Sequence, residues 1–142
     1  MTKNSDYTAL AGRILIAVLF LMSGIGKIAA PAATQDYIAA MGLPLPVVGC
    51  FASMTVEVVG SLLLILGFQT RIVASGMAVF SLATALVFHR NFGDQNQMIH
   101  FLKNIAIMGG LLQVAAFGAG KFSLDARRER DAVPASALGA AQ

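Results

Sequence analysis

Four apolar runs separated by short polar breaks dominate this 142-residue chain, at about residues 8–30, 47–68, 72–89 and 98–117. About twenty helical residues cross a hydrocarbon core of roughly 30 Å, so the pattern predicts four transmembrane helices. Gln69-Thr70-Arg71 makes a tight turn after Gly67, Arg90 to Gln97 forms a polar loop, and Gly118 and Gly120 end the fourth run. Such short connections make neighbouring helices antiparallel. The expected fold is an all-α, up-down bundle over residues 1–125. The remainder, 126–142, reads as a disordered tail of charges followed by Ala, Pro, Ser and Gly.

The connector Pro31 to Pro46 has a pattern of its own. Thr34 can cap a short helix, Gln35 to Met41, in which Ile38 and Met41 share a face. Gly42 then ends it, and Pro44 and Pro46 prevent continuation. The expectation is an interfacial helix lying over the bundle mouth as a lid. A cleaved leader ending near Ala29-Ala30-Pro31-Ala32 is the competing reading of the first run, and Lys27 beside the supposed cleavage site speaks against it.

Composition agrees with the pattern. The chain is 57% hydrophobic and 12% charged, outside the range of soluble domains. Its net charge of +3 does not point to nucleic acid, because four of the ten basic residues crowd into Lys121 to Arg130. That placement suits a tail beside an anionic leaflet. Lys3, Arg13, Arg71, Lys121, Arg127, Arg128 and Arg130 fall on one side and Lys27, Arg90 and Lys103 on the other, seven against three. The positive-inside rule then places both termini in the cytoplasm. The lone Cys50 allows no internal disulfide and no CxxC pair, and two histidines are too few for a zinc site, so no metal is expected.

Candidate chemistry begins with Glu57, one acid in the middle of the second run. A carboxylate at that depth costs a few kcal/mol or more and normally has a partner or faces water. Gly49, Ser53, Glu57, Gly60, Leu64 and Gly67 recur in steps of four and three, a stripe suited to close helix contact. Lys27 and His89 sit near the outer ends of the first and third spans. His100, Lys103 and Asn104 share a face at the outer end of the fourth. Lys27, Glu57, His89, His100, Lys103 and Asn104 are therefore expected to converge on an outer-half pocket, with Glu57 the best candidate for a chemical role. Lys27 and Glu57 are expected to pair across a vertical gap of roughly 8 to 10 Å, a strained reach for both side chains. The bland alternatives are snorkelling lysines, unliganded interfacial histidines and a purely structural polar core.

Several pieces of the chain resemble the DoxX family of small four-helix membrane proteins. They are Arg13, Ser23-Gly24-Ile25-Gly26-Lys27, Glu57 followed by Gly60, Gly67-Phe68-Gln69-Thr70-Arg71, His89, Phe101-Leu102-Lys103-Asn104 and Gly118 to Asp125. The chain is especially similar to the family's uncharacterised bacterial inner-membrane branch. Relatives in the wider family include the DoxD-type subunit of thiosulfate:quinone oxidoreductase, so the resemblance implies a link to quinone and sulfur redox chemistry. Three readings follow. One is a redox-associated component, an oxidoreductase subunit without its own redox centre, that binds a quinone-like or other small molecule and takes electrons through a partner protein. Another is a small permease or proton-coupled exporter acting as a homo-oligomer. The last is a non-catalytic accessory subunit.

Overall fold

The computed structural model describes residues 3–132, and among them the chain is all helix. Its elements are α1 (Lys3–Ala29), α2 (Pro31–Ala40), α3 (Pro46–Leu66), α4 (Thr70–Phe88), α5 (Gln95–Phe117) and α6 (Leu124–Asp131). Four of them, α1, α3, α4 and α5, are long and apolar enough to cross a membrane. The fold is a four-helix membrane bundle with α2 across one end and α6 across the other.

Local chemistry explains the boundaries. Pro31 opens α2 at a position where a missing N–H costs nothing. The helix therefore starts earlier than the Thr34 cap anticipated, and Thr34 instead turns its hydroxyl back to the Ala30 carbonyl at 3.5 Å. Pro46 opens α3 in the same way. At the far end of α3, Gly67 adopts φ +67° while its N–H and that of Phe68 return to Leu64 and Leu63. This glycine-terminated Schellman turn is followed at once by α4. Asp94 caps α5 through the N–H groups of Asn96 and Gln97, so the polar residues Gln95 to Gln97 are its first turn and not loop.

The tail departs further from expectation. Ser123 caps Ala126, and Leu124 to Asp131 form α6 where the charge pattern suggested disorder from residue 126 onward. Residues 133–142 lie outside the described part.

Packing is uneven around the bundle. The helices associate chiefly as two pairs, α1 with α3 and α4 with α5. A core of Ala17, Phe20, Leu64, Ala74, Met77, Ala78 and Leu111 joins the pairs, and a smaller cluster of Ile38, Cys50 and Met54 seats α2 on α3. The α1–α3 approach is tight at Gly24, where an added Cβ would lie 2.7 Å from Val58 Cγ2 and 3.2 Å from Glu57 Cβ. Along α3 the buried row is Cys50, Met54, Glu57, Ser61 and Leu64, so the expected stripe of small residues runs along its edge. Gly49 meets Ile38 of the lid and Gly60 meets Met77 of α4.

Candidate functional site

Glu57 lies in the middle of α3 and is 4% exposed. Lys27, in the last turn of α1, reaches it with Nζ 2.7 Å from Oε1 and 2.8 Å from Oε2. Ser23, one turn before Lys27, accepts from Nζ at 2.8 Å and donates to Glu57 Oε1 at 3.1 Å. The glycine at 24 is what makes the geometry possible. Without a Cβ there, α1 lies close enough to α3 for the lysine to span the vertical gap. The expected pairing is present, and it is a two-oxygen contact instead of a strained one.

This triad borders a cavity of about 480 Å³ under the lid. Phe20, Phe80, Phe88, Leu19 and Val56 give it apolar walls, while Tyr37, Ile38 and Thr34 of α2 close one side. Tyr37 stacks on Phe88 with ring centroids 5.5 Å apart, fastening the lid to α4. Ser53, Thr84, His89 and Asn104 complete the polar lining.

The six residues singled out in the sequence divide here. Lys27, Glu57, His89 and Asn104 line the cavity. His100 does not line it but stacks on His89 at 5.1 Å, and Asn104 donates to the His100 carbonyl. Lys103 is exposed and takes no part in the lining. Two residues on one helix face can share an arc without sharing depth, and the ring stack holds His100 at the rim. Sequence reading passed over the aromatic walls and Tyr37, which look like ordinary apolar span residues. Ser23 entered only as part of the run Ser23 to Lys27, although its place four before Lys27 marks it as a bridge to the ammonium group.

A second buried cation sits at the opposite end. Arg13 is fully buried, with Nη1 donating to the Leu64 carbonyl at 2.9 Å and Nη2 to Phe122 at 2.7 Å. The Leu64 carbonyl also accepts from the Gly67 N–H, so Arg13 adds a second donor at the end of α3, with the Ile65 carbonyl 3.4 Å from the same Nη1. Across the turn, Asp125 accepts from the N–H groups of Gln69 at 2.7 Å and Thr70 at 2.8 Å, capping α4 from a distance in sequence. Burial pulls the Asp125 carboxyl upward, but hydrogen bonds from Thr70 and Gln69 and the nearby Arg128 charge outweigh it, leaving it below its ordinary value. An open cavity of about 680 Å³ at this end is lined in part by mated charges, Asp6 with Lys121 at 3.4 Å and Asp125 with the α4 N–H groups. Its residues hold the fold.

Fold and site together define a small four-helix membrane protein with a buried lysine–glutamate pair facing a lidded cavity. The DoxX family model matches residues 8–90, and the chain belongs to that family. It is 41% identical over 128 residues to the inner membrane protein YqjF of Escherichia coli K12, covering 88% of this chain and 95% of the relative. It is 34% identical over 123 residues to the inner membrane protein YphA of the same organism, covering 83% of this chain and 88% of that one. No solved structure matches.

Proposed function

We propose that this protein is a bacterial inner-membrane component that binds a quinone-like small molecule in the cavity beneath α2. The observation that carries the reading is the meeting of aromatic walls with a partly buried ion pair lining about 480 Å³, a volume suited to a small organic ligand. A flat apolar ring would have the side chains of Phe20, Phe80 and Phe88 as its wall, while Glu57 and His89 offer proton-transfer groups in the same lining. The chain has a single cysteine, so no dithiol pair is available for electron transfer and electrons would pass through a partner protein. The location follows from the two relatives, both named inner membrane proteins. The basic asymmetry of seven against three orients both termini to the cytoplasm, which a reporter fused after Gln142 reads directly.

The test is a lipid extract of the purified protein. Quinone should be enriched over its level in the surrounding membrane, and Glu57→Gln should lose that enrichment while remaining inserted and folded. An extract without enrichment overturns the reading and favours an accessory subunit, in which the ion pair serves only the bundle.

A further inference from the structure

The cavity's polar groups have a direction, because most of their protons are already spent. Lys27 has three N–H donors, and its three partners are Glu57 Oε1, Glu57 Oε2 and Ser23 Oγ. The Ser23 proton goes to Glu57. Three further hydroxyls in the lining face backbone carbonyls, which only accept, so each must donate: Thr34 to Ala30, Ser53 to Cys50 at 2.8 Å and Thr84 to Phe80 at 2.9 Å. Asn104 commits one N–H to His100. His89 turns Nδ1 to the amide oxygen of Gln97 at 2.9 Å, and a neutral ring with its proton there presents Nε2 as an acceptor.

Unused capacity is therefore lopsided. Lone pairs remain on Glu57, Ser53, Thr84, His89 Nε2 and the Asn104 carbonyl. Against these stand few free donors, chiefly the Tyr37 hydroxyl and the second Asn104 N–H. A carbonyl oxygen entering this cavity would find little to receive from and would face many lone pairs. An entering hydroxyl would meet acceptors on several sides, one of them a carboxylate.

We infer that the cavity selects a neutral ring compound presenting a hydroxyl or N–H as donor, and so favours the reduced, hydroxyl-bearing form of a quinone-like ligand over the carbonyl form. Neutrality follows because the only two charged side chains in the lining, Lys27 and Glu57, already cancel. This inference rests on the reading that the cavity holds a small molecule. It adds which end of a redox pair is held.

A redox-inert pair of probes tests it. 1-Naphthol and 1-methoxynaphthalene share a ring system and an oxygen, but only the first carries a proton to donate. Binding of each to the detergent-solubilised full-length protein is measured by probe fluorescence and corrected for partition into protein-free detergent. A hydrogen bond to a charged acceptor predicts that naphthol binds about tenfold tighter or more. A preference under about threefold, or one for the ether, overturns the donor inference and leaves the cavity reading standing. Absence of saturable binding by either probe overturns both.

Discussion

The two ends of the bundle each hold a basic residue, Arg13 fully buried and Lys27 partly so, and they handle it differently. At the α6 end the Arg13 guanidinium ends on backbone carbonyls and the Asp125 carboxylate on backbone N–H groups. Each charge closes a helix terminus beside the Gly67 turn, where the dipole favours its sign. At the α2 end Lys27 and Glu57 meet each other, side chain to side chain, next to open volume. Charges matched to backbone build a joint. Charges matched to each other and to one serine leave a site whose partner can be exchanged.

The comparison is sharpest under double-mutant cycles. Lys27→Met and Glu57→Leu should each destabilise the solubilised protein by about 3 to 5 kcal/mol, because each strands the other charge. The double variant should recover much of that loss in thermal melts. Additive losses would show that the two are not a coupled unit, and would erase the contrast from this side.

Arg13→Met should cost about 2 kcal/mol, since it takes the guanidinium donor from the Phe122 carbonyl and leaves the Leu64 carbonyl only the Gly67 N–H. Asp125→Ala should cost about 1 kcal/mol as the loss of a helix cap. Here the double variant should give the sum to within about 1 kcal/mol, because each side chain bonds backbone and the two share only a through-space attraction. Strong rescue in the double variant would make the α6 end a second ion pair and collapse the distinction.

The smallest effect is one of pH. The Asp125 carboxyl lies below its ordinary value in the folded protein. Its contribution is complete above about pH 4, the ordinary carboxylate range, and is lost as pH falls through the folded-state value. Melting temperature should decline on acidification below about pH 4, and Asp125→Asn should flatten that part of the profile. An unchanged profile would show that the cap holds equally well when protonated.

Span number and order were legible because lipid imposes a simple demand, about twenty apolar residues per crossing. The Lys27–Glu57 pair was legible for a related reason: an acid at that depth needs a partner. Its closeness was not, since it depends on α1 settling onto α3 at Gly24, a contact between residues 33 and 34 positions apart in the chain. Helix periodicity grouped His100 and Lys103 with Asn104, yet it carries no information on how far α5 turns toward the cavity. The α6 helix was hidden by its charges. What holds it is Asp125 reaching across to α4 and its own N–H bonding the Gly67 carbonyl at 2.9 Å, neither visible in local composition.

Cys50 gives the lid a built-in clock. It is fully buried, it is the only thiol in the chain, and its Sγ lies 3.8 Å from the carbonyl of Pro31, the first residue of α2. Lifting α2 from α3 uncovers that thiol, and no second cysteine competes for a reagent. The alkylation rate of the unmodified protein therefore reports how often the lid leaves its seat, and a bound molecule that holds the lid down slows the reaction in proportion to its occupancy.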